Sequence, residues 1–248
     1  MYRRLQPSKI ISTLEALGRR IGERFPGSGL ARVCDDLIGL ARETSVRAGK
    51  ISQPNVWLKA LVWFLIASGV ALLTVVGYTI LTSTKTSDDL FSTLQGIDSG
   101  FNILVLMGAS LYFLSSLEMR LKQRRALMAL HEFRSIVHVI DMHQLTKDPS
   151  MMGAARTSTS PERDMTPFEL TRYLDYCSEM LSLTAKCAAL YAENLSDPVV
   201  VDTVGDIERL TSDLSSKIWQ KITIIQSLEG GRDLPLPIQP PPHKPVAS

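Results

Sequence analysis

Apolar residues follow two kinds of pattern along this chain: two long runs without charge, and several helical stripes within otherwise polar stretches. The second run opens at Phe101 with FNILVLMGASLYFLSSL, which is long enough to cross a bilayer. EMRLKQRR follows, and then ALMALHEFRSIVHVIDMHQL, helical in period but only half apolar. No Pro or Gly interrupts Ala109 to Lys147, so the spacing predicts one continuous helix leaving a membrane and entering an aqueous domain. The first run, residues 60–84, is also uncharged and can span with some tilt. The polar region before it is too long for a cleaved signal peptide. Trp57, Trp63 and Tyr78 suit interfacial belts. Ala60, Ala67, Ala71 and Thr74 share one face of this run, and Gly108 and Ser115 share one on the next. Small residues let membrane helices approach closely, so these faces are expected to pack the spans together or against another protomer.

Residues 1–56 read as a helical hairpin. Ile10, Leu14, Leu17 and Ile21 form one stripe, and Ser12-Thr13-Leu14-Glu15 has capping-box form, although helix can begin near Ser8. Pro26-Gly27-Ser28-Gly29 is a turn. Leu30, Val33, Leu37 and Leu40 or Ala41 form a second stripe ending near Gly49, and residues 52–55 separate the hairpin from the first span. Between the spans, residues 84–99 form a short polar loop. Ser87-Asp88-Asp89 starts one or two turns carrying Leu90, Phe91 and Leu94, and Gly96 ends them.

Beyond the second span, Ala126, Leu130, Phe133, Val137 and Ile140 step by four and three, a coiled-coil seam. Asp148-Pro149 stops this helix, and residues 150–164 form a mobile polar linker. Thr166-Pro167-Phe168-Glu169 combines an N-cap Thr, Pro at the first helical position and Glu at the third, with Met165 and Leu170 placed for a hydrophobic staple. The seam that follows is Leu170, Leu174, Cys177, Leu181, Thr184, Ala188, Tyr191 and Leu195. Asp197-Pro198 restarts a helix, whose stripe runs from Val200 through Val204, Ile207, Thr211, Leu214, Ile218 and Ile222 to Ile225, with a C-cap at Gly230-Gly231. Two long helices joined so briefly are antiparallel neighbours. With the 126–145 segment they make a three-helix bundle, beside which the N-terminal hairpin has room to lie. The tail, residues 233–248, is too proline-rich to pack and is expected to be disordered.

Charge sets orientation. Residues 1–60 hold 11 Lys/Arg against 5 Asp/Glu, the loop 84–99 holds 1 Lys and 3 Asp, and Arg120, Lys122, Arg124 and Arg125 follow the second span directly. Both termini are therefore expected in the cytoplasm. The basic cluster reads as a topological anchor that also attracts anionic lipid headgroups. Overall composition adds little: the 248 residues are 45% hydrophobic with a formal charge of +2, an average over unlike parts. Cys34, Cys177 and Cys187 form no CxxC and read as reduced core fillers.

Candidate chemistry concentrates in HEFRSIVHVIDMHQLTKDP. His131, Arg134, His138 and Asp141 form one ridge beside the seam, read as core-flanking charge pairs, a partner-binding surface or a pH sensor. As a metal site the ridge lacks specificity. His131 and His138 are two turns apart, roughly 10 Å, His143 points elsewhere, and no HExxH or Cys–His cluster completes a set. Walker, GxSxG and nucleotide-loop motifs are missing, and neither span contains an ionisable residue, which disfavours an ion-coupled transporter. Nucleic acid is not expected as a partner, since the basic residues sit beside a span without aromatic platforms.

The run Asp141-Met-His-Gln-Leu-Thr-Lys-Asp-Pro149, preceded by His138, resembles a group of uncharacterised bacterial integral membrane proteins. The similarity continues through TPFELTRYLDYCSEMLSL and DIERLTSDLSSKIWQKI, roughly the C-terminal half of the chain. It implies a bacterial cytoplasmic membrane and no activity. The expected protein is thus all-α, a two-span hairpin (about 60–84 and 101–117, within 57–118) between the 1–56 hairpin and a coiled-coil-like cytoplasmic bundle at 119–230, with a tail at 231–248. It is expected to act without cofactor or catalysis as a scaffold or adaptor, partnered by the bilayer and by a second copy or a soluble protein. The alternative is a subunit of an oligomeric channel or a transport accessory.

Overall fold

The structure is a computed structural model that describes residues 4–52, 56–83, 90–147 and 165–230. Regular structure among these residues is entirely helical: α1 (Pro7–Arg24), α2 (Gly29–Ser52), α3 (Val56–Ser83), α4 (Leu90–Leu145), α5 (Pro167–Asn194) and α6 (Pro198–Gly230). The expected helix start at Ser87-Asp88-Asp89, the stop at Asp148-Pro149, the linker 150–164 and the tail 231–248 lie outside the described residues, as do positions 53–55 of the expected separator.

Local chemistry explains most of the helix ends. α1 begins earlier than the Ser12 capping box, with Pro7 in its first turn. Ser12 and Thr13 instead donate their hydroxyl protons to the Lys9 carbonyl, at 3.0 and 2.8 Å. Gly27 provides the turn into α2 at φ +70, a left-handed conformation that favours glycine, and Ser28 Oγ accepts from the Ala31 amide at 3.2 Å. At α5 the capping box is closed in both directions: the Glu169 amide donates to Thr166 Oγ1 (3.2 Å) and the Thr166 amide to Glu169 Oε2 (2.8 Å). That bond from the Thr166 amide holds the Glu169 carboxyl below its usual range. Asp197 Oδ1 caps α6 by accepting from Val199 and Val200 amides, both at 3.1 Å.

The chain divides into two compact units. The first gathers residues 1–42, 132–188 and 205–248. Its stripes are buried as their periodicity requires: Ile10, Leu14, Leu17 and Ile21 on α1, Leu30, Val33, Leu37 and Ala41 on α2, and Phe133, Val137 and Ile140 on α4. α5 is buried on a second face as well. Tyr173, Tyr176, Met180, Leu183 and Cys187 repeat the three-and-four step beside the Leu174–Cys177–Leu181 seam. Phe25, at the end of α1, meets this face edge-on, with ring centroids 5.4 Å from Tyr173 and 6.3 Å from Tyr176. The N-terminal hairpin therefore docks on α5 within this unit, and Arg20 Nη2 reaches Glu179 Oε2 across the same contact at 2.8 Å.

The second unit comprises residues 43–131 and 189–204. α3 and α4 are each long and apolar enough to cross a membrane, and none of either apolar stretch is buried. Trp57 is 87% exposed, Tyr112 78% and Trp63 70%. α4 runs unbroken from Leu90, so Gly96 does not end a short surface turn as expected from its sequence; the second span is continuous with that segment. The two helices meet at Gly69, where a Cβ would overlap the thioether of Met107. Ala60, Ala67, Ala71, Thr74, Gly108 and Ser115 stay exposed, so the contact between the spans uses a different face from the one their spacing suggested. Ala48, Ile51, Leu130, Leu190, Leu195 and Val200 are among the buried residues of this unit. Gln123 on α4 donates to Asp197 Oδ1 at 3.1 Å and so fixes the α5–α6 turn.

Removing the doubly closed cap is the simplest test of these local assignments. Thr166→Ala is expected to destabilise the protein by about 1 kcal/mol, read as a lower midpoint in chemical unfolding followed by circular dichroism.

Candidate functional site

The ridge expected to carry chemistry is on the surface. His131, Arg134 and His138 are exposed on α4, and Asp141 is half-buried. Asp141 Oδ1 accepts from the side-chain amide of Gln144, three residues on, rather than pairing with His138. Among the described residues no group of three His, Cys, Asp or Glu side chains is placed to hold a metal ion. Of the basic cluster in the second unit, Arg120, Arg124 and Arg125 are exposed, whereas Lys122 pairs with Glu118 at 2.9 Å, one turn back.

A polar node at the end of α4 was hidden from sequence reasoning. Gln144 is buried, and Lys221 of α6 donates to both its side-chain oxygen (2.6 Å) and its backbone carbonyl (3.0 Å). A cation thereby satisfies one of the last carbonyls of α4 and faces the negative end of the helix dipole. Asp141, Gln144 and Lys221 form a hydrogen-bonded chain within the first unit, from half-buried Asp141 on α4 to α6. Next to it, the His143 ring packs against Gly29, the first residue of α2, so closely that a Cβ at that position would overlap it. The Tyr173 hydroxyl lies 3.4 Å from His143 Nδ1, and Lys147 Nζ stands 5.3 Å from the Tyr173 ring centroid. Burial pushes the His143 pKa down, helped by the positive charges of Arg32 and Lys147. Burial pushes the Tyr173 phenol up. Both groups are therefore neutral at neutral pH. The available signal was Gln144, which continues the four-and-three step of the α4 seam beyond Ile140; its partner Lys221 and the groups around His143 come from other parts of the chain, which spacing along one helix does not reveal.

A second feature lies between α1 and α5 in the same unit. Arg20, Glu23, Arg24, Arg172 and Tyr176 line an open cleft of about 360 Å³. The Arg172 and Arg20 guanidinium carbons stand 5.1 and 6.0 Å from the Tyr176 ring centroid, and that of Arg24 stands 5.3 Å from Phe168. Arg172 pairs with Asp175 at 2.9 Å.

The cysteines offer no chemistry at neutral pH. Cys34, Cys177 and Cys187 are all buried and free, and burial pushes each thiol up to about 12. A thiol held protonated is a poor nucleophile and a poor metal ligand. In comparisons with known proteins, no family model, no curated protein and no solved structure matches the chain.

The node predicts a pH response of definite sign. Because the folded-state pKa of His143 lies below the ordinary value of 6.5, the unfolded chain binds the extra proton first. The stability associated with neutral His143 is fully present above the unfolded value and is lost as pH falls through it toward the folded value. Urea midpoints measured between neutrality and mild acid are expected to fall, and His143→Gln to flatten that decline. An unchanged pH profile in the variant would remove the node from the explanation. Lys221→Met is expected to destabilise at neutral pH by about 1.5–3 kcal/mol, the range for hydrogen bonds to charged groups.

Proposed function

We propose that this chain is an integral protein of a bacterial cytoplasmic membrane, anchored by the α3–α4 hairpin with both termini in the cytoplasm. Its coiled-coil-like helical bundle serves as a non-enzymatic scaffold or adaptor for a soluble protein or a second copy. The observation that carries this reading is the contrast between the two units. The seams of α1, α5 and α6 are buried, while the apolar stretches of α3 and α4 are left uncovered by the described residues. A core helix of a soluble protein would be covered. A cleaved leader would not follow a hairpin such as α1–α2, whose own stripes are buried in a packed unit.

The orientation rests on the basic residues that flank the spans, with Arg120, Arg124 and Arg125 exposed after the second. They also suit contact with anionic headgroups. The bacterial setting rests on the resemblance of the stretch around Asp141–Pro149. Arg134 and His138 are exposed on α4, and the scaffold reading uses this face of the helix as contact surface rather than as a catalytic site.

The second reading, a subunit of an oligomeric channel or transport accessory, draws on one observation: the small-residue faces at Ala67, Ala71 and Gly108 remain exposed. Such faces suit close helix packing between protomers. Protein-only mass in mild detergent, by light scattering coupled to size exclusion, separates the two. A monomer or dimer is expected. A closed assembly of four or more chains would overturn the scaffold reading in favour of the channel.

A further inference from the structure

The cleft between α1 and α5 is a second place where this protein has chemistry to offer, and it stands independently of the membrane reading. Three guanidinium groups converge on it from two helices. Arg20 and Arg24 are one turn apart near the end of α1, and Arg172 faces them from the second turn of α5. Arginine presents a planar fork of donors that matches the oxygens of a phosphate or carboxylate. A fork held against an aromatic face is positioned in advance, so less side-chain entropy is lost when an anion arrives. Tyr176 does this for Arg172 and Arg20, and Phe168 for Arg24.

The internal partners of these arginines do not close the site. Arg20 pairs with Glu179, their side chains 45% and 39% exposed, and Arg172 with Asp175, a less exposed pair at 32% and 22%. A solvent-exposed ion pair is held weakly, so the Arg20–Glu179 pair opens at little cost when a doubly charged ligand arrives. Arg24 has no carboxylate at ion-pair distance among the described residues; it interacts at longer range with Glu169, whose Oε2 accepts from the amide and hydroxyl of Thr166. Glu23 also lines the cleft, and with Glu179 and Asp175 beside Arg20 and Arg172 it limits the net positive charge, which disfavours a polyanion and leaves room for one compact group.

We propose that the Arg20–Arg24–Arg172 cleft binds a single phosphate group, free or at the end of a phosphate monoester, with Tyr176 as the wall that holds the forks in place. Arg24 and Arg172 supply most of the charge-assisted hydrogen bonds, since they approach from opposite sides. Arg20 contributes by releasing Glu179. A lone phosphate ester in solution and the headgroup of a phosphomonoester lipid present the same chemistry to this cleft.

The test uses the full chain in a non-ionic detergent without lipid phosphate. Inorganic phosphate is titrated at constant ionic strength against chloride and followed by calorimetry. Saturable binding at one site is expected, weakened about tenfold or more in the double variant Arg24→Gln with Arg172→Gln, the loss of at least one charge-assisted bond. Circular dichroism of that variant establishes that α1 and α5 remain folded. Arg24→Lys, which keeps the charge but not the fork, is expected to recover part of the affinity. A second arm places the protein in nanodiscs of neutral lipid with or without phosphatidic acid. Competition between phosphatidic acid and inorganic phosphate identifies a headgroup as the source, and its absence identifies a soluble phosphate. No saturable phosphate binding in either arm, or binding that the folded double variant retains at full strength, would overturn the proposal.

Discussion

Apolar surface that none of the described residues covers is the constraint that governs the rest of the fold. Soluble monomers rarely expose contiguous apolar patches beyond a few hundred square ångströms, yet Trp57, Trp63, Phe64 and Val75 on α3 and Phe101, Leu106, Tyr112 and Phe113 on α4 are mostly open. Each square ångström of such surface held in water forgoes about 25 cal/mol. A bilayer removes that cost without requiring any protein partner, and the helical backbone of both segments satisfies its own hydrogen bonds, as hydrocarbon demands. The rest of the second unit fits the same condition. The spans touch through Met107 on Gly69, a contact of shape rather than of hydrophobic area.

The first unit solves the opposite problem, and α5 is central to its solution. One face carries the seam from Leu170 to Ala188 and the other carries Tyr173, Tyr176, Met180 and Cys187, so α5 needs cover on two sides. The end of α1 meets one side through Phe25 and Arg20. The polar residues that remain inside are not scattered. Thr184 returns its hydroxyl to the Met180 carbonyl at 2.8 Å, and Gln144 is held by Lys221. Such buried polar groups are tolerated because each has a partner.

Periodicity made the stripes of α1, α4, α5 and α6 legible because each is a repeated local choice that the neighbouring helices then bury. Between Leu40 and Ala41 on α2 the structure selects Ala41, which continues the four-residue step from Leu37. The caps at Thr166 and Asp197 were legible for the same local reason. Gly96 misled because a glycine stops a helix only where the backbone takes a positive φ, and among the described residues Gly27 alone does so. The second face of α5 was visible as a further three-and-four series, but a helix buried on two sides needs a partner that one-helix patterning cannot name. The same limit applies to the sites. Spacing on α4 selected His131, Arg134, His138 and Asp141, whereas the groups that gather around His143 come from Gly29, Tyr173 and Lys147, and the arginine cleft joins residues about 150 positions apart.

The chain's three tryptophans allow the central claim to be measured directly, since Trp57 and Trp63 lie on α3 and Trp219 on α6. Single-tryptophan proteins retaining Trp63 or Trp219 would be placed in liposomes whose acyl chains carry bromine, a short-range quencher. The membrane account predicts strong quenching of Trp63 and none of Trp219. Trp63 left unquenched would contradict it, since the uncovered surface of α3 would then have to be buried by protein instead of lipid.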